Sequence, residues 1–141
     1  MDFVAKHLLD HGIRPSVQRV EIMRYLMKHR THPTVDDIYR DLHEEMPTLS
    51  KTTIYNTLSL LGEKNALSVL TIDSKNIHYD GDVSPHAHFL CRCCHRIFDV
   101  VLPPALVSGV AMPEGFSMEH SHVYYDGVCS MCSSNIKNGK N

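Results

Sequence analysis

Two Cys-x-x-Cys pairs, Cys91 with Cys94 and Cys129 with Cys132, constrain this chain more than any other feature. A turn of that spacing brings two thiolates to one ion. Two such pairs supply a closed tetrahedral set that suits structural zinc, with redox chemistry or unrelated thiols as the competing accounts. The fold must then bring the two pairs together. Cys93, out of register with both, reads as a free or buried thiol. Five cysteines are an odd number, and the opening "MDFVAKHLLDHG" lacks the basic, apolar and small-residue order of a signal peptide. No apolar run approaches the roughly 18 residues a membrane span needs. The expectations are a cytoplasmic protein, no membrane partner, and metal ligation rather than a disulfide framework.

At 141 residues with 43% hydrophobic content, the chain can bury a core as one domain or two small ones. A net charge of -2 argues against a nucleic-acid partner, but its distribution does not. Arg14, Arg19, Arg24, Lys28 and Arg30 face a single acid, Glu21, whereas Asp36 to Glu45 holds five acids against Arg40. A local basic surface can bind phosphates, and an ordinary solvated helix face explains the same residues.

Periodicity orders the elements. "DFVAKHLLDHG" reads as a helix capped at Gly12, and "PSVQRVEIMRYLMKH" as a second, with Val17, Val20, Met23, Leu26 and Met27 along one stripe. "TVDDIYRDLHEEM" begins with a capping-box-like pattern of Thr34 and Asp37. A fourth helix opens at Ser50, turns Ile54, Leu58 and Leu61 inward, and leaves Lys51, Thr52, Tyr55, Asn56 and Ser59 outward. "LSVLTI" and "NIHYDG" then flank Asp73 to Lys75 as a β-hairpin. Helices followed by a hairpin have the order of a winged helix, whose last helix enters the major groove of double-stranded DNA. Lys51, Thr52, Tyr55 and Asn56 are then candidates for base-edge and phosphate contacts.

The stretch "HAHFLCRCCHRIFD" holds a second chemistry. On a strand His86 and His88 share one face while Cys91 points to the other, so one mononuclear site does not easily use them all. His86 and His88, with Asp80 before them and Asp99 after, are nitrogen and oxygen donors suited to Fe(II), Mn(II) or Zn(II). Each alone is a weak signal; together they form a candidate sensing site. His120 and His122 read as an auxiliary site or as alternating strand positions, and His7 and His11 as a solvated helix face.

"GIRPSVQR", "HPTVDDIY", "SKTTIYNTL", "HAHFLCRCC" and "CSMC", in this order over roughly residues 10 to 135, resemble the ferric uptake regulator family of bacterial metal-responsive repressors. The resemblance implies an α+β chain: a winged-helix DNA-binding domain over 1–82, followed over 83–141 by a small α/β dimerisation domain with an antiparallel sheet. It implies a homodimer that metal closes onto a palindromic operator. It also adds His32 as a regulatory ligand joining Asp80, His86, His88 and Asp99, and sets Tyr55 and Asn56 on the recognition helix and Arg14 near the minor groove. Asp99 resembles the peroxide-sensing branch, where Fe(II) directs peroxide onto a ligating histidine, here His32 or His86, and Mn(II) does not. Iron-responsive and zinc-responsive regulation are the alternatives. Pro85 and Ala87 depart from the extra ligands that iron regulators often carry there, which puts a third metal site in doubt. A metallohydrolase would need an open metal and a positioned base in a cleft, of which the chain shows no clear sign. A zinc-stabilised interaction module explains the cysteines but not the histidines and carboxylates.

Overall fold

The computed structural model describes residues 2–138, and the chain divides into two compact units between Val83 and Ser84. The first holds α1 (Phe3–Asp10), α2 (Val17–Lys28), α3 (Val35–Leu42), α4 (Lys51–Glu63) and a hairpin of β1 (Ser68–Leu70) and β2 (His78–Asp80). Each helix begins where a short polar side chain satisfies an end N–H group. Asp2 accepts from Val4, Ser16 from Arg19 and Ser50 from Thr53, and Thr34 and Asp37 close a reciprocal capping box.

Two of the four helix ends turn through a left-handed residue. Gly12 has φ 73° and is followed by a bond from Ile13 N–H to the Leu8 carbonyl at 2.9 Å. Asn65 has φ 61° and is followed by Ala66 N–H to the Leu61 carbonyl at 2.9 Å. Both are six-to-one closures that send the chain sharply back.

Between these ends, Leu8, Ile22, Met23, Leu26, Ile38, Ile54, Leu58 and Leu61 are fully enclosed with Tyr79 from β2. The stripe expected on α2 needs one correction, because Val17 is 75% exposed and the buried residues are Ile22, Met23, Tyr25 and Leu26. A helical side chain leans toward the turn before its own Cα, and Val17, the first helical residue, has no such turn to cover. The hairpin is antiparallel, pairing Leu70 with His78 and Ser68 with Asp80. Helices α2 to α4 and this hairpin form a winged helix.

The second unit holds β3 (Ala87–Cys91), β4 (Ile97–Val100), the short α5 (Pro104–Ser108), β5 (Tyr124–Gly127) and α6 (Ser130–Lys137). Its sheet has the order β4-β3-β5. Strands β3 and β4 pair antiparallel around a tight turn, in which His95 adopts φ 61° and Cys91 N–H donates to the Arg96 carbonyl at 3.0 Å. The third strand, β5, joins β3 in parallel, an arrangement the long connection over residues 101–123 permits and no local pattern specifies. Among the described residues no helix is long and apolar enough to cross a membrane.

Candidate metal centres and nucleic-acid interface

The parallel pairing assembles the thiolates. Cys91, the last residue of β3, lies opposite Gly127 of β5; two residues later Cys129 caps α6, which carries Cys132. The turn after β3 returns Cys94, and all four sulfurs lie within 4.8 Å of one another, with Cys94 and Cys129 at 3.9 Å. Tetrahedral zinc with bonds near 2.3 Å separates its sulfurs by about 3.8 Å, so the set fits that ion. All four are free thiols.

Their acidities point the same way. Backbone N–H groups of Cys94, Cys129 and Cys93 aim at the Cys91 sulfur and draw it down to about 5. Hydrogen bonding with Cys129, then burial, pushes Cys132 up to about 12. Four sulfurs this close do not all ionise without a cation among them, and a dication supplies that charge. Cys93 is exposed, free and outside the set.

Nitrogen and oxygen donors lie in both units. In the first unit, His32 Nε2 and Asp80 Oδ2 are 3.4 Å apart, each side chain 4% exposed. His32 holds a left-handed backbone, φ 59°, which a non-glycine residue adopts only when its surroundings enforce it. Asp80 ends β2 and spends its other oxygen on Asp82 N–H at 2.9 Å.

In the second unit, the β3–β4 register sets His88 opposite Asp99. The Nε2 atoms of His88 and His86 approach the same Asp99 oxygen, at 3.5 and 3.3 Å. His86 donates from Nδ1 to the Ser84 carbonyl at 2.7 Å, which fixes its tautomer and turns Nε2 toward the carboxylate.

The α4 surface carries Lys51, Thr52, Tyr55 and Asn56 exposed, above buried Ile54, Thr57 and Leu58. Lys51 pairs with Asp36 at 3.0 Å and lies 5.3 Å from the centre of the Tyr39 ring. Arg14 is exposed, and Arg19 donates to its carbonyl at 2.9 Å.

Some histidines have roles that sequence reading missed. His7, expected on a solvated face, joins the Ala66 carbonyl at 2.8 Å and ties α1 to the end of α4, while His11 bonds back to the His7 carbonyl. His122 packs against the Tyr124 ring, and burial lowers its basicity. His78, which no spacing rule singles out, touches both the His32 backbone and Asp73.

A winged helix followed by a small α/β unit, each carrying metal-donor side chains, defines a two-domain metalloprotein of the helix-turn-helix class. The chain belongs to the ferric uptake regulator family, whose sequence profile matches residues 10–132. It is 34% identical over 128 residues to the peroxide operon regulator of Bacillus subtilis, covering 89% of this chain and 88% of that one. It is 33% identical to the peroxide-responsive repressor PerR of Staphylococcus aureus strain Mu50, over 86% of this chain and 83% of the relative. Among solved structures, the manganese-containing ferric uptake regulator of Pseudomonas aeruginosa superposes with a TM-score of 0.71 at 16% identity, covering 92% and 99% of the two chains. PerR from Streptococcus pyogenes, described for peroxide sensing and gene regulation, gives a TM-score of 0.51 at 29% identity, covering 92% and 90%.

Proposed function

We propose that this protein is a metal-dependent, DNA-binding transcriptional repressor that responds to hydrogen peroxide. The observation that carries the reading is the convergence of His86 and His88 on Asp99, a donor set suited to iron or manganese, in a chain 34% identical to a peroxide operon regulator. The pair of His32 and Asp80 in the first unit is chemically its other half. Neither set alone fills a coordination shell, whereas together three imidazoles and two carboxylates balance a divalent ion. Ligands drawn from both units make occupancy favour one orientation between them, which is the differential affinity a switch requires.

When bound, Fe(II) would lend peroxide one electron and recover it as the ring is oxidised, with no net change in the metal, and Mn(II) would not. The chain supplies the target: the His32 or His86 ring gains one oxygen atom from peroxide, water leaves, and the altered ring is a poorer ligand. Cys91, Cys94, Cys129 and Cys132 hold a structural zinc that takes no part in this step. Lys51, Thr52, Tyr55 and Asn56 read and grip a palindromic duplex, helped by Arg14 and Arg19. Val101, Leu106, Val110, Phe116 and Met118 are exposed apolar side chains of the second unit and support assembly as a homodimer. The setting is the cytoplasm, where thiols stay reduced.

The test is mass spectrometry of the Fe(II)-loaded and Mn(II)-loaded protein after brief low-dose peroxide. A gain of one oxygen on His32 or His86 in the iron form alone, with release of DNA in mobility-shift assays, is the expected result. Unmodified histidines, with DNA binding still set by metal supply, make this an iron-responsive or zinc-responsive regulator instead.

A further inference from the structure

Strand β2 of the wing grips the loop carrying His32. Strand β2 alternates its side chains, so His78 and Asp80 leave it on one face, and both reach residue 32. Asp80 meets the imidazole at 3.4 Å, while His78 Nδ1 donates to the His32 carbonyl at 2.7 Å. Between them, Tyr79 N–H donates to the Pro33 carbonyl at 3.0 Å. These contacts explain how a histidine keeps φ 59° directly before a proline: three successive residues of β2 clamp it from both sides.

The other nitrogen of His78 does not face the loop. Its Nε2 pairs with Asp73 Oδ2 at 3.0 Å, and the second oxygen of Asp73 accepts from Lys75 N–H at 3.0 Å. Asp73 therefore shapes the turn over residues 71–77 that joins β1 and β2, and it carries the exposed Lys75 at its tip. That turn also borders an open cleft of about 340 Å³ lined by Thr34, Tyr55, Lys75 and Tyr79, so its position bears on the exposed Tyr55 of α4.

We propose that His78 and Asp73 couple the backbone of the His32 loop to the wing turn, so that filling the regulatory site orders the DNA-facing wing within the first unit itself. His78 is a positioning residue that acts through the His32 carbonyl and Asp73. The coupling rests on His32 being a metal ligand, and adds a local route to any reorientation between the units. A ligand held at residue 32 narrows that residue's backbone freedom, and a chain of hydrogen bonds passes the restriction from the His32 carbonyl through the His78 ring and the Asp73 carboxylate to the turn amides.

The experiment is amide hydrogen exchange over residues 71–77 of the full-length zinc-loaded protein, with and without Mn(II). It is paired with Mn(II) titration and with affinity for a duplex selected from a randomised palindromic library. In the native sequence, Mn(II) slows exchange in the turn. Asp73→Ala removes that slowing and lowers the Mn(II)-induced gain in DNA affinity about fivefold, with Mn(II) affinity near the original. Because Asp73→Ala also loosens the turn, the quantity read is the Mn(II)-dependent difference within each variant. Asp73→Asn, whose Oδ1 accepts from Lys75 N–H while its Nδ2 donates to His78 Nε2, keeps both contacts and restores it. His78→Asn keeps a donor for the His32 carbonyl and loses Asp73, so it behaves as Asp73→Ala does.

Slowing that persists in Asp73→Ala, or is absent from the native protein while Mn(II) still strengthens DNA binding, overturns the coupling and leaves the metal-dependent repressor standing. Equal Mn(II) affinity in His32→Ala and the native protein removes His32 as a ligand, and the coupling falls with that assignment.

Discussion

In the N-terminal unit, fifteen buried side chains from Val4 to Tyr79 pack into one cluster. In the C-terminal unit, among the described residues, Ala87, His88 and Cys91 are the buried ones, and two of those three are candidate metal ligands. The first unit has the apolar interior of a self-supporting small domain. The second replaces an interior with a four-thiolate knot at one end of a three-stranded sheet, and leaves apolar side chains such as Val101 and Phe116 exposed. A segment this short rarely stabilises itself through burial alone. The difference teaches that the two units draw their stability from different sources, an apolar interior in the first and a four-thiolate set in the second.

The largest expected effect comes from removing the knot. Cys91→Ser or Cys129→Ser abolishes zinc binding, an interaction worth on the order of 10 kcal/mol in structural sites. Amide exchange then rises throughout β3, β4 and β5 while α2 and α4 stay protected. Zinc analysis with exchange mapping checks this, and loss of protection in both units together would break the contrast between them.

Leu58→Ala attacks the other side. Truncating this fully buried residue costs the first unit about 2–5 kcal/mol in denaturant unfolding, with zinc content unchanged. If zinc is released in parallel, the two units do not owe their stability to separate sources.

A smaller effect follows from His32→Ala, which lowers Mn(II) affinity by at least the roughly 10-fold that losing even an outer-shell partner costs and removes metal-dependent DNA retention while zinc stays bound. Titration in the presence of a fixed zinc load measures it, and an unchanged metal response would refute the role given to His32.

The smallest effect lies on the α2–α3 tie. Tyr25 donates to Asp41 at 2.5 Å, and this bond holds the Asp41 carboxyl below its usual range, while burial pushes the Tyr25 hydroxyl up. A depressed carboxyl stabilises the fold above its unfolded pKa and loses that contribution as pH falls through the folded one. Tyr25→Phe therefore costs up to about 1 kcal/mol at pH 7, because Asp41 faces water. The difference from the native protein disappears in strong acid. Urea unfolding at pH 7 and at acid pH measures both, and a cost independent of pH would assign it to packing instead.

The sequence by itself determined the local structure. Helix starts at Thr34 and Ser50, the stop at Gly12, the inward row of Ile54, Leu58 and Leu61, and the two Cys-x-x-Cys pairs all depend on residues within a few positions of one another, so spacing reveals them. The tertiary structure alone decided the rest. That β5 lies parallel to β3 and carries Cys129 toward Cys91, that His88 faces Asp99, that His7 reaches Ala66 and that His78 grips His32 are matters of register between distant segments. Side-chain alternation selects a face for each residue but no partner across the sheet or loop. Those partners are chosen when the whole chain packs, because only then does each buried polar atom find the group that offsets its loss of water.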